Sequence, residues 1–272
     1  MVKEVKKAMQ IKRTRNDSIW ATLLIIFAIC FLVSLFSQNP YTNQTIETNT
    51  NVVIDNPSTQ IISYTMDTIP EYNEDMEHPY VYIDNNIPDF SDVINTTDLS
   101  SPFEIYTMKE DGKRCGVALA NVCYDTMPIS GETDNKSSRI NPTGWPKSTD
   151  DITDGEKKII YHRCHLIAFS LTAEAGNERN LITGTSYMNR AGMWHFEYLV
   201  KKHIDNFNGD KSKCHVLYRV TPIFEGENLL ASGVHMEAMS VEDSGQSLHF
   251  NVFVYNVQKG VQIDYSTGKI VK

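Results

Sequence analysis

Residues 159–171 read IIYHRCHLIAFSL, with His162, Arg163, Cys164 and His165 set between two apolar runs. Apolar runs mark buried structure, and two imidazoles, a guanidinium and a thiol are costly to bury without partners. Taken alone, the stretch reads as a strand with alternating faces in which His165 is a satisfied core histidine. The flanking sequence has to decide between that reading and a chemical site.

The strongest periodic segment lies just downstream. In MNRAGMWHFEYLVKKHIDNF, residues 188–207, Met193, Phe196, Val200, Ile204 and Phe207 recur at steps of three and four. That spacing predicts an amphipathic helix. Elsewhere the signals favour strands. GVALANVCY (116–124), CHVLYRVTPIF (214–224), LLASGVHMEAMSV (229–241) and LHFNVFVYNV (248–257) are rich in β-branched and aromatic residues. EGEN (225–228) and EDSGQS (242–247) separate the last three as turn material, which predicts an antiparallel meander. The fold class is α+β, and the globular domain begins near HPYVYIDNNIPDF (78–90), spanning 77–272.

Charge divides the rest of the chain. The formal net charge is −9, made of +4 over residues 1–18, −11 over 19–100 and −2 over 101–272. The acidity therefore belongs to one segment and says little about what the C-terminal part binds. IWATLLIIFAICFLVSLF, residues 19–36, carries no charge. At ~1.5 Å per residue it spans roughly 27 Å, close to the hydrocarbon core of a bilayer. Six Lys/Arg precede it and none follows until Lys109. The positive-inside rule makes 1–18 a basic cytoplasmic tail, 19–36 an N-terminal transmembrane signal anchor, and the remainder extracellular. A cleaved signal peptide is the alternative, although SLFSQNP offers a poor small-residue cleavage site. Residues 37–76, rich in Asn and Thr and free of bases, read as a disordered acidic and polar linker.

Within 188–207, Asn189 suits a helix N-cap and Glu197 a solvated helix position. Eight residues are slightly more than two α-turns, so both lean to roughly one face. Asn and Glu are oxygen donors of the kind that hold a hard cation through few protein atoms and several waters. Upstream, His165 offers a base near neutral pH and Arg163 a fork that fits a phosphate. Together these are the parts for phosphodiester hydrolysis. The exported cysteines Cys115, Cys123, Cys164 and Cys214 allow disulfides without fixing a pairing, and HRCH lacks the usual zinc-ligand spacing. The remaining histidines read as ordinary structural residues, and Trp145, Trp194, Tyr187 and Phe196 as core.

With those residues in view, the chain resembles the DNA/RNA non-specific endonucleases of the ββα-metal (His-Me finger) superfamily, of the membrane-anchored DNA-uptake type. The likeness runs from about Tyr80 to Thr267. The family's Asp-Arg-Gly-His motif reads His162-Arg163-Cys164-His165 here. NLITGTSYMNRAGMWHFE supplies an Asn, a second Asn nine residues on and a Glu eight after that, as Asn180, Asn189 and Glu197. INPTGW (140–145) resembles the family's lead-in, and the segments from Arg219 onward resemble its closing sheet. His162 in place of an acid and Cys164 in place of glycine are departures.

The resemblance implies a ββα-metal core with an antiparallel sheet and a catalytic set of His165, Arg163, Glu197 and Asn180. It implies one Mg²⁺ bound by Asn189, with Mn²⁺ as a substitute. His165 would be the general base, Arg163 the phosphate partner, Glu197 a holder of metal-bound waters, and Asn180 an ordering residue. DNA, and RNA with it, would be bound through the phosphate backbone, which carries no sequence information directly. Lys201, Lys202, Lys211, Lys213 and Arg190 are the candidate local cations on a domain that is not basic overall. Two rival functions use the same sequence: a catalytically silent DNA-binding module on the cell surface, and an exported nuclease toxin.

Overall fold

The computed structural model describes residues 62–153 and 156–271. Strands β1 (Ser63–Tyr64) and β2 (Tyr80–Ile83) are followed by a one-turn helix α1 (Ser91–Ile94) and by β3 (Phe103–Met108) and β4 (Cys115–Val122). A small hairpin, β5 (Asp150–Thr153) and β6 (Glu156–Ile159), leads into β7 (Tyr161–His165), the short α2 (Phe169–Thr172) and β8 (Leu181–Thr185). Helix α3 (Trp194–Asp205) comes next, then β9 (Val216–Ile223), β10 (Gly233–Ser240) and β11 (His249–Tyr255). A second small hairpin, β12 (Gln262–Asp264) and β13 (Lys269–Val271), closes the described chain.

Seven strands form one sheet in the order β1-β2-β11-β10-β9-β4-β3. The predicted meander is its centre, with Met236 opposite Val252 on one side and Val220 on the other. The turn before β11 uses left-handed backbone at Ser244 and Gly245, where glycine carries no steric cost. Strand β3, an edge strand, has no counterpart in the predicted strands. Its Glu104 and Tyr106 blur the alternation that marks a half-buried strand.

Alternation along β9 sorts its side chains onto two faces. Val216, Tyr218 and Val220 join Met236, Phe250 and Val252 in the main core. Met193, Phe196, Val200 and Ile204 from the helical segment pack onto that face, together with Cys164 and Ile182 from β7 and β8. The predicted helix stripe is thus the buried stripe, and each such side chain contributes about 1.5–3 kcal/mol by leaving water. All four described cysteines are buried free thiols.

The opposite face is also covered. Leu217 packs with Phe90 and Val93, and Ile83, Phe253 and Tyr255 pack with Tyr64, Met66, Ile69, Tyr72 and Met76. This corrects the expected linker, which was to run to residue 76. Residues 63–76 are built into the domain, with Pro70 O accepting from the Tyr255 hydroxyl at 2.8 Å and Glu74 Oε1 from Gly260 N at 2.7 Å. Their apolar residues follow neither strand nor helix period, so the segment has no periodic signature, yet the sheet face offers them a surface. The tail at 1–18, the anchor at 19–36 and the linker up to residue 61 lie outside the described residues. Among the described residues no helix is long and apolar enough to cross a membrane.

Candidate active site

Strands β7 and β8 pair antiparallel, with His162 opposite Gly184, Arg163 opposite Thr183 and His165 opposite Leu181. The helical segment follows β8 directly, so the chain builds strand, strand, helix around the HRCH motif. Gly184 is glycine for a packing reason. A methyl there would collide with the Met188 side chain and the Cys164 sulfur. Cys164 is accordingly a core residue whose thiol burial pushes well above its usual range. Its presence where the family resemblance expects glycine is accommodated by the side chain missing at 184.

The other motif residues differ in their surroundings. Arg163 donates from Nε to Ile140 O and from a terminal nitrogen to Asn141 Oδ1 at 2.9 Å. Its guanidinium carbon lies 4.0 Å from the centroid of the Trp145 ring, a cation–π stack. The INPTGW lead-in therefore holds Arg163. His165 Nε2 lies 3.3 Å from Asp134 Oδ2, but outside hydrogen-bond geometry, so this buried nitrogen has no hydrogen-bond partner. Burial lowers the His165 pKa, and the Asp134 carboxylate raises it by less. His162 Nε2 is likewise buried and unpartnered, and burial and the Arg190 charge lower that imidazole's pKa.

Asn180 is fully buried. Its Oδ1 accepts from Ile167 N and its Nδ2 donates to Ile167 O, both at 2.9 Å, while its own carbonyl accepts from Leu166 N at 2.9 Å. It ties the chain leaving His165 to the start of β8. Its side-chain oxygen and its side-chain nitrogen are both spent on backbone.

Asn189 does not cap an α-helix. Residues Met188–Met193 form a π-helical turn, with Trp194 N donating to Asn189 O, and α3 continues from it. One such wider turn plus one α-turn takes up about eight residues. The interval from Asn189 to Glu197 therefore closes on one line more nearly than an unbroken α-helix allows. Both residues line one cleft of about 230 Å³, with Arg190 and Trp194 as the other walls. Burial pushes the Glu197 carboxyl up to about 8, with no cation or donor to hold it down.

This donor set fits a hard divalent cation: an amide and a carboxylate face a shared space with room for waters, and the carboxylate lacks a positive partner. Among the described residues no three His, Cys, Asp or Glu side chains gather as a metal cluster. The structure thus brings Asn189 and Glu197 together. Strand β7 packs under the same helical segment, with Cys164 in one core cluster with Met193 and Phe196. His165 and Arg163 are held from the other side by the 134–145 loop and are not walls of the cleft.

Sequence reasoning missed Asp134, which lies in a polar loop 31 residues before His165 with no periodic or motif signal. It also placed Trp194 in the core, whereas Trp194 is 60% exposed. Indole is usually buried on average, and only the direction of α3 reveals this exposure.

Comparison with known proteins agrees with the geometry. Residues 117–242 match the family model for DNA/RNA non-specific endonuclease. The fold is similar to that of NucA from Streptococcus agalactiae with magnesium ion bound, at 24% identity and a TM-score of 0.51 over 63% of this chain and 78% of that one. NucA from the same organism with no metal bound gives 23% identity and a TM-score of 0.54 over 71% and 90%. The Sda1 nuclease with bound zinc ion gives 24% and 0.51 over 62% and 80%. The strand–strand–helix unit and the strands β9 and β10 behind it thus lie within the residues that match the DNA/RNA non-specific endonuclease family.

Proposed function

We propose that this chain is a metal-dependent endonuclease that hydrolyses phosphodiester bonds of DNA, and of RNA, without sequence preference. The observation that carries this reading is the convergence of Asn189 and Glu197 on one cleft beside a strand bearing His165, whose ring nitrogen is buried and unpartnered. His165 is the general base. Its lowered pKa keeps the imidazole neutral at physiological pH, so the ring can take a proton from a water that attacks phosphorus in line. The phosphorus–3′-oxygen bond breaks as the new bond forms, and the leaving oxygen takes a proton from solvent. Arg163 faces the charge on the phosphate, and its stack on Trp145 keeps the guanidinium fixed. Mg²⁺, with Mn²⁺ as a substitute, would be held directly by Asn189 and through its waters by Glu197, and would supply Lewis-acid stabilisation of the phosphate.

The apolar, charge-free run at 19–36 behind a basic tail supports an anchored protein with its nuclease domain outside the cell, acting in DNA uptake or degradation. A surface DNA-binding module without chemistry is the second reading. It is favoured by one observation, the engagement of Arg163 by Ile140, Asn141 and Trp145. Plasmid cleavage decides between them. The wild type should nick plasmid in Mg²⁺ and not in EDTA, and His165→Ala should lose roughly 10²–10⁴ in rate. Folded wild-type protein that leaves plasmid intact across pH 6–9 with Mg²⁺ or Mn²⁺ would hand the case to the binding module.

A further inference from the structure

Helix α3 carries a row of side chains that its packing does not use. Trp194 is 60% exposed and Tyr198 46% exposed, one turn apart on the helix. Their rings stack at 5.5 Å with planes 18° apart, and Lys202 Nζ stands 6.0 Å from the Tyr198 centroid one turn further on. In the other direction Arg190 precedes Trp194. Trp194 and Arg190 are walls of the cleft that holds Asn189 and Glu197. The row therefore reads cation, aromatic, aromatic, cation, and it starts at the candidate reaction centre.

Single exposed apolar residues need no explanation, but a contiguous exposed patch marks a contact surface. Here the patch is aromatic and flanked by positive charge, in a stretch, 101–272, whose net charge is −2. That combination suits a nucleic-acid strand: the cations meet phosphates and a base extends the aromatic stack from its Trp194 end. A closed duplex presents backbone and base edges outward, so its ring faces are not available to such a surface. Only an unpaired or extruded base can lie on it.

We propose that Trp194 and Tyr198 form a stacking platform for unpaired nucleobases beside the cleft, so that this domain takes single-stranded or locally opened nucleic acid in preference to closed duplex. This rests on the nuclease reading and adds to it the form of nucleic acid taken. Bases on the platform would hold the strand so that the neighbouring phosphate enters the space between Asn189 and Glu197. Stacking tolerates any base, which is consistent with a site that reads no sequence.

The test is binding of the full chain to two labelled probes by fluorescence anisotropy, an oligothymidylate and a hairpin-capped duplex, in EDTA so that strands stay intact. Trp194→Ala and Tyr198→Ala should each raise the single-strand Kd roughly 5- to 50-fold. Duplex Kd should rise at least threefold less, and Trp194→Phe should recover most of the lost single-strand affinity. Both side chains are exposed, so melting temperatures should stay within about 2 °C of wild type. Unchanged single-strand affinity, or an equal loss on both probes, would overturn the platform. Plasmid nicking with Mg²⁺ by the same wild-type preparation separates the two levels. A wild type that nicks plasmid but whose variants bind normally loses only the platform. One that neither nicks plasmid nor binds either probe loses the nuclease reading with it.

Discussion

At His165 two influences oppose each other. Burial disfavours the imidazolium and the Asp134 carboxylate favours it, and burial is the larger. The base therefore stays neutral into mildly acidic solution, and the acid limb of the rate–pH profile should fall below the ordinary histidine value of about 6.5. Asp134→Asn removes the opposing influence, so the limb should move lower still. Steady-state rates between pH 4.5 and 8 read this, and an upward shift in the variant would sink the assignment. Glu197 works in the other sense. Its folded pKa of about 8 lies above the ordinary 4.5, so the folded state binds the proton more tightly and stability falls as pH rises between those values. Glu197→Gln should melt above wild type at pH 8 without metal. Mg²⁺ should raise the wild-type melting temperature and raise that of the variant much less. Equal shifts in scanning calorimetry would exclude Glu197 from the cation site. Arg163, His165, Asn189 and Glu197 were legible as residue types at characteristic spacings. The location of the Cys164 thiol in the core was not, because it depends on Gly184 across the hairpin.

At the scale of elements, the π-helical turn at Met188–Met193 sets the site. The apolar stripe from Met193 to Ile204 announced the helix, since burial of one face imposes a period of 3.6 residues. The wider turn left no mark in that period. It occurs where Gly192 presses against Val254 of β11, a contact with no space for a side chain, and no local spacing encodes that pressure. Deleting Ala191 should convert the turn to plain α-helix, rotate Asn189 by only about 20° relative to Glu197 and shorten the path back to β8 by one residue, which displaces Asn189 in the cleft. Plasmid cleavage should fall at least about 100-fold, since small misplacements of reacting groups cost that much. Far-ultraviolet circular dichroism should keep its helical signal. A deletion variant that still cleaves at the wild-type rate would remove the π-turn from the account.

At the scale of the whole molecule, the sheet needs cover on both faces, and residues 63–76 supply part of it. A chain beginning at residue 62 should melt with the full domain, whereas one beginning at 77 should lose about 3 kcal/mol or more with the uncovered Phe253 and Tyr255. Thermal melts of the two truncations check this, and equal melting temperatures would return 63–76 to the role of linker. The sequence by itself determined the α+β class, the central meander and the amphipathic helix, and it offered four candidate site residues, because burial periodicity and donor chemistry are local properties of the chain. Only the tertiary structure decided that Asn180 is a buried tie, that Asp134 stands beside His165, that Trp194 is exposed, and that 63–76 belongs to the domain. Each of these depends on which surface a segment meets across the fold, and a one-dimensional pattern does not contain that.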